Sequence, residues 1–322
     1  MMGVSFKKFF ENATGHLPYP YQELLATGEV LPDVINVPTG AGKTEAAVLC
    51  VWMWRRQNPS TRQHTPRRLV YCLPMRSLVE QTKKRVCEYI KKLKNENLKM
   101  NKSIKVITLM GGDVDKDYAL YPEDDVIIVG TQDMLLSRAL NRGYATSPFM
   151  WPIEFGLLNN DCLWIMDEIQ LMGDGLATSV QLDKFRKDLE TYGPPPKTIW
   201  MSATFNEHYL NTVDSKNTDT IQIAKLGNED MLNTELKKRN TAKKILGTLD
   251  FEIKGKTYGN SDAEKIFEKH MHGTMTLVIV NTVTRAQSLY CQIKKVLEKK
   301  NKKVDLLSVS YTHLTLPTKR IV

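Results

Sequence analysis

The sequence predicts an α/β fold, a parallel sheet covered by helices on both faces with its function at the carboxyl ends of the strands. Three observations predict it. Apolar, β-rich runs recur, each leading through a turn or loop to a stretch of helical character. One of those turns is rich in glycine and joins a strand to a helix. The chain of 322 residues, 42% hydrophobic and 25% charged, is long enough for two domains and too apolar for wholesale disorder.

The first run, Val34 to Val37, enters the glycine-rich loop, and a helix is expected over Glu45 to Trp54. Arg68 to Leu73, Asp125 to Val129, Cys162 to Met166 and Thr198 to Met201 supply four more strands, and together they define a first domain over residues 1–212. Residues 213–273 turn polar and lysine-rich, with glycines at 227, 247, 255 and 259, and read as a linker and insertion holding one strand, Thr220 to Ala224. A strand at Thr276 to Val280, a helix at Arg285 to Lys299 and a strand start at Val304 to Leu307 open a second α/β domain over 274–308 that is incomplete.

Lys and Arg outnumber Asp and Glu by 45 to 36, and the net charge of +9 favours a polyanionic partner such as nucleic acid. Cys50, Cys72, Cys87, Cys162 and Cys291 are scattered, with no CxxC pair or zinc-ligand spacing, and read as thiols of a reducing compartment. Nowhere do 18 apolar residues run together, so the expectation is a cytoplasmic protein without a membrane span. Lys83 to Lys102 carries eight Lys or Arg against two Glu, with Val86, Tyr89, Ile90 and Leu93 at helical spacing. It reads as a helix with a solvated basic face or as a track for nucleic acid, and Lys294 to Lys303 reads the same way.

Val37-Pro38-Thr39-Gly40-Ala41-Gly42-Lys43-Thr44 is a phosphate loop. Such a loop aims backbone N–H groups at phosphate oxygens, and the following helix N-terminus adds favourable dipole charge. Gly40 and Gly42 let the backbone come close, Lys43 is expected on the terminal phosphates and Thr44 on magnesium. Val37 stands where the strict pattern has glycine. The site then needs a carboxylate pair at the end of a nearby apolar strand. Leu163 to Glu168 supplies it, with Asp167 as the metal-side carboxylate and Glu168 as the catalytic base. Ser202-Ala203-Thr204, behind the last strand of the first domain and 35 residues after Asp167, stands where a coupling element would lie.

The order PTGAGKT, LPMRSLVEQT at 73–82, MGG at 110–112, TQDMLLSR at 131–138, DEIQ and SAT resembles the superfamily 2 helicases over residues 20–204. The resemblance implies a RecA-like P-loop domain followed by a second, here incomplete, RecA-like domain. It implies ATP and magnesium at Thr39, Gly40, Ala41, Gly42, Lys43 and Thr44, with Thr44 and Asp167 as magnesium ligands. It implicates Arg76, Gly112, Thr131, Gln132 and Arg138 in gripping the sugar-phosphate backbone, contacts that position a strand without reading its sequence. Gln22, 21 residues before Lys43, is similar to the glutamine with which this superfamily reads adenine.

DEIQ in place of DEAD argues against the RNA-unwinding DEAD-box branch. The string DEIQLMGDGLATSVQLDKFR at 167–186, with ATGHLPYPYQ at 13–22 and NTVTRAQ at 281–287, resembles the CRISPR-associated helicase-nuclease of type I systems, most closely that of subtype I-G (formerly I-U). That resemblance implies a monomeric motor recruited by a CRISPR surveillance complex to displaced single-stranded DNA, with a nuclease domain built on a His-Asp metal motif. The chain has no His-Asp dipeptide, and His16, His64, His208, His270, His272 and His313 make no metal set. The nuclease domain is expected beyond the chain end.

The arginines that a second domain contributes to the transferred phosphate are expected past residue 308, and Arg285 is not one of them. The chain is thus expected to be C-terminally truncated and alone inactive or weak. Val309 to Thr318 can be encoded by a transposon-end adapter, and 309–322 is expected to be a non-native tail. Three functions stand open: a single-stranded DNA translocase of CRISPR interference, a nucleotide-dependent binding module without turnover, and a superfamily 2 DNA or RNA helicase outside CRISPR.

Overall fold

The computed structural model describes residues 4–95, 103–111, 113–114, 117–213, 221–242, 258–271 and 273–300. They fall into two compact units, 1–242 and 243–322.

The first unit opens with α1 (Phe6–Thr14), whose first turn is capped by the Ser5 hydroxyl accepting from the Lys8 amide, and α2 (Pro20–Thr27), which has proline at its first position. β1 (Val34–Asn36) leads through the phosphate loop into the helix α3 over 43–57. That helix passes from an α-turn, Lys43–Glu45, into the wider π-helical Ala46–Trp54 and back into α-helix at Arg55–Gln57. Ala46 to Met53 are buried without exception, as a helix apolar on all sides requires. β2 (Arg68–Leu73), α4 (Arg76–Asn95), β3 (Ile104–Met110), β4 (Asp113–Val114), β5 (Asp125–Thr131), α5 (Gln132–Ala139) and α6 (Trp151–Asn159) follow. β6 (Cys162–Met166), α7 (Asp174–Asp188), β7 (Lys197–Ser202), β8 (Ile223–Ala224) and α8 (Thr234–Asn240) complete the unit.

The eight strands form one sheet in the order β4-β3-β5-β2-β6-β7-β1-β8. Seven of them run parallel, and only the two-residue edge strand β4 is antiparallel to its neighbour. The fold class expected for this domain is the one observed. Side chains alternate between two cores, as the two-residue period of a strand demands. Ile35, Leu69, Tyr71, Ile127, Val129, Leu163, Ile165 and Met201 pack under α1 to α4. Val34, Val70, Cys72, Ile128, Trp164 and Trp200 pack under α5 to α7. The central strands β2, β5 and β6 are buried along their whole length, which is why they read as continuous apolar runs.

Several expectations shift. β3 lies outside the strands that the sequence predicts; it stands one place from the sheet edge, and Lys105 interrupts its apolar pattern. The basic helix begins at Arg76 rather than Lys83, buries Val79, Val86, Tyr89, Ile90 and Leu93, and is described to Asn95. Within the expected linker and insertion, residues 221–242 belong to the first unit: β8 pairs with β1, and Leu236 of α8 is buried in the core.

In the second unit α9 (Asn260–Glu268) and α10 (Val283–Lys299) share a small core of Ala263, Leu289, Ile293, Val296 and Leu297. The helix expected there thus starts two residues earlier, capped by the Thr282 hydroxyl. Thr276 to Val280 forms no strand among the described residues, and most of it is exposed. An isolated run cannot pair its backbone groups without a neighbouring strand. Val304 to Leu307 and the tail 309–322 lie outside the described residues, as does His272.

Candidate nucleotide-binding site

The carboxyl ends of β1, β2, β6 and β7 carry the phosphate loop, Tyr71, Asp167 and Ser202 to the same end of the sheet's strands. Parallel strands bring this about, because every loop that follows a strand emerges on the same side. Gly40 and Gly42 have φ of 84° and 78°, the left-handed region that favours glycine. At Gly42 a Cβ would also stand 2.5 Å from Gln22 Nε2, so both conformation and space require the missing side chain. Val37 is fully buried in the core, which accounts for its departure from the glycine of the strict pattern: the loop's first residue still belongs to the packing of β1. Thr39 is exposed at the loop's mouth and Ala41 is buried.

Lys43 is buried, and its Nζ lies 3.2 Å from Glu168 Oε1. The contact has the range of an ion pair but not the angles of a hydrogen bond, so the buried ammonium has no hydrogen-bond partner among the described residues. Asp167, at the end of β6, accepts from the Tyr71 hydroxyl at 2.7 Å and from the Glu168 amide at 2.9 Å. Burial raises its carboxyl pKa to about 6, with the Glu168 charge adding to the rise and the Tyr71 hydrogen bond opposing it. The Tyr71 hydroxyl interacts with Thr44 as well, which brings the two expected magnesium ligands to one phenol. Burial first, and then Asp167, pushes the Tyr71 pKa well up, so it stays a hydrogen-bond donor.

A hydroxyl and a carboxylate are the oxygen donors that magnesium takes, and a buried ammonium without a hydrogen-bond partner beside them fits a terminal phosphate. The residues present therefore fit magnesium and a nucleotide triphosphate. On the far side, Arg85 of α4 donates to Thr44 Oγ1 at 3.3 Å.

Glu168 has φ of 55°, a left-handed conformation that costs a non-glycine residue on the order of 1 kcal/mol and clusters at functional sites. Its Oε2 accepts from Gln170 Nε2. Gln170 Oε1 in turn accepts from the Ser202 hydroxyl at 2.8 Å, and Ser202 Oγ accepts from the Thr204 amide at 3.0 Å. The Ser-Ala-Thr segment thus reaches the acidic pair through Gln170, with Ala203 half-buried between Ser202 and Thr204. Gln170 was legible only as the last letter of DEIQ, and Tyr71 carried no signal inside its apolar strand.

Gln22 is almost fully buried. Its Oε1 accepts from the Tyr19 amide at 2.9 Å and its Nε2 donates to the Gly42 carbonyl at 3.0 Å, so here it braces the phosphate loop.

Of the residues expected on nucleic acid, Arg76 is exposed at the start of α4 and lies against Gly111, where a Cβ would be 2.3 Å from its Nη2. Thr131 is buried at the end of β5 and precedes α5. Gln132 packs against Gly175, and its buried Oε1 has no hydrogen-bond partner among the described residues. Gly112 lies outside the described residues. Arg138 is corrected. It is fully buried, pairs with Glu154 at 3.1 Å and donates to the Met134 carbonyl, because its position on α5 turns it toward α6 and away from solvent. Among the described residues no group of three or more His, Cys, Asp or Glu could hold a metal, and no helix is long and apolar enough to cross a membrane.

The family model for DEAD/DEAH box helicases matches residues 21–213. No curated protein matches the chain. The DUF1998 helicase MrfA superposes with a TM-score of 0.54 at 15% identity, covering 96% of this chain and 43% of that one, a likeness of fold. Helicase Lhr of Mycobacterium smegmatis, solved with ssDNA and AMP-PNP, gives a TM-score of 0.48 at 18% identity over 69% of this chain and 27% of that one. S. cerevisiae Dbp5, solved with RNA and ADP BeF3, gives 0.44 at 19% over 70% and 51%. The chain thus spans between 27% and 51% of the length of these proteins.

Proposed function

The chain belongs to the DEAD/DEAH box helicase family, and from that premise we propose that it carries the ATP-binding half of a motor that moves on nucleic acid. One observation carries the proposal: the buried Lys43 ammonium, without a hydrogen-bond partner among the described residues, facing Glu168 at 3.2 Å. A buried cation without a hydrogen-bond acceptor is costly, and a terminal phosphate satisfies it. Lys43 and the amides of the phosphate loop would hold the phosphates, while Thr44 and Asp167 would hold magnesium. When bound, magnesium neutralises charge on the terminal phosphates. Once Lys43 engages a phosphate it no longer faces Glu168 alone, and the freed Glu168 carboxylate can orient water and accept its proton. Gln170 links that carboxylate to Ser202, a route from the hydrolytic site to the next segment of chain. Arg76, with Thr131 and Gln132, would meet the sugar-phosphate backbone at the same end of the strands.

The finer reading is a translocase of type I CRISPR interference that acts on displaced single-stranded DNA together with a surveillance complex. It is supported by the likeness of 13–22, 167–186 and 281–287 to that helicase-nuclease. The test measures nucleotide binding and phosphate release by the full chain with magnesium and ATP, alone and with single-stranded DNA or RNA. The expected result is ATP binding that Lys43→Ala weakens roughly 10- to 100-fold, and tighter retention of single-stranded DNA when nucleotide is present. No nucleotide binding sinks the proposal. Binding without turnover on any nucleic acid fits a binding module, and preference for RNA, or neighbouring genes that encode no surveillance subunits, moves the protein outside CRISPR.

A further inference from the structure

Three consecutive carbonyls of the phosphate loop are held from outside the loop. Arg239 Nη1 donates to Gly40 O at 3.1 Å, the Tyr21 hydroxyl to Ala41 O at 2.5 Å, and Gln22 Nε2 to Gly42 O at 3.0 Å. A trans peptide is planar with C=O and N–H on opposite sides. Pinning the Ala41 and Gly42 carbonyls outward therefore aims the amides of Gly42 and Lys43 the other way, into the space where phosphate oxygens bind.

Two of the three clamps depend on one residue far along the chain. Tyr21 and Gln22 sit in the first turn of α2, and the Tyr21 amide, one of the donors that a helix start leaves unpaired, is taken by Asp230 Oδ1 at 3.0 Å across 209 residues. Asp230 is itself buried, and its other oxygen accepts from the Gly227 amide at 2.7 Å. An anionic carboxylate at a helix N-terminus is favourably placed, so the bond is both cap and anchor. The third clamp, Arg239, is exposed on α8. That helix is fixed by Leu236 buried in the core and by Asn233 capping its first turn.

We propose that residues 226–241 form a strap that sets the phosphate loop for nucleotide, with Asp230 and Arg239 as its positioning residues. Nucleotide affinity then depends on the segment of chain that leads directly to residue 243, where the second unit begins. The inference rests on the nucleotide-binding reading above.

The experiment titrates a fluorescent ATP analogue with magnesium into the full chain, with thermal unfolding measured in parallel. Arg239→Ala is expected to weaken binding about 3- to 10-fold, the effect of one lost hydrogen bond, with Arg239→Lys recovering part of it. Because Arg239 is exposed, its unfolding midpoint should stay within about 2 °C of the parent. Asp230→Asn, which removes the charge and turns a donor toward one of two amides, is expected to weaken binding at least as much. Wild-type affinity in both Arg239→Ala and Asp230→Asn overturns the strap. So does a loss of affinity in Arg239→Ala that only tracks a lower midpoint, which would make the arginine a stabilising residue. Lys43→Ala separates the two readings. If it binds like the parent, or the parent does not bind, the nucleotide site fails and the strap with it. If Lys43→Ala weakens binding while both strap variants bind normally, the strap alone fails.

Discussion

Lys43 Nζ and Glu168 Oε1 stand 3.2 Å apart, a cation from the phosphate loop facing the carboxylate expected to act as base. The pair defines two separable duties. Lys43→Ala should weaken magnesium-ATP binding roughly 10- to 100-fold, the range of a charge-assisted hydrogen bond. Glu168→Gln keeps the shape and should bind nucleotide about as well as the parent, with turnover lowered by roughly 100-fold or more. Equilibrium binding and single-turnover hydrolysis on the same preparations check both, and a binding defect in Glu168→Gln as large as that of Lys43→Ala would undo the division.

Gln170 joins Glu168 to Ser202 through one side-chain amide. Gln170→Ala and Ser202→Ala should each lower the turnover that nucleic acid stimulates, and the double variant should be little worse than either. Partners in one network are non-additive by about 0.5–3 kcal/mol. Strictly additive losses in a double-mutant cycle would show that the two act independently.

The Asp167 carboxyl titrates near pH 6 because burial disfavours its charge. A raised carboxyl pKa means that the folded state holds the proton where the unfolded state has released it. Stability therefore falls as pH rises from about 4 to about 6 and stays at the lower level above. Asp167→Asn should remove this slope and stabilise the protein at pH 8 by an amount on the order of 3 kcal/mol, with no gain below pH 4. Thermal midpoints across pH 4–8 check it. With the parent, magnesium-nucleotide binding at pH 6 should release protons, a release that vanishes at pH 8 and is read from the buffer dependence of binding heats.

Arg76 and Arg138 were grouped by sequence order and are parted by burial. Arg138→Ala removes the cationic partner of the buried Glu154 and leaves it the Tyr118 hydroxyl alone, and should cost roughly 3–5 kcal/mol of stability. Arg76→Ala should leave the unfolding midpoint within about 2 °C, weaken single-stranded DNA binding and reduce the salt dependence of that binding by about one charge. Equal effects of the two substitutions on unfolding would contradict the assignment.

Much of the fold was legible because the signals are local. Arg68–Leu73 and Cys162–Met166 form strands with the bounds read from sequence, since central strands of a covered parallel sheet are apolar throughout. β3 was not legible: beside the sheet edge Lys105 can point outward and break the pattern. The loop and the acidic pair were legible because glycine, lysine and paired carboxylates are required at fixed spacing. Tyr71, Gln170, Asp230 and Arg239 were not, because an ordinary residue acquires its role only from what folding places beside it.

The parallel α/β domain, the glycine-rich loop and the carboxylates at the end of a strand are all written locally, in short stretches of consecutive residues. Folding, by contrast, makes Arg138 half of a core ion pair, turns Val37 inward, and brings Asp230 to cap a helix 209 residues earlier in the chain. Burial and hydrogen-bond partnership are relations between distant segments, and no local pattern of residue types encodes them.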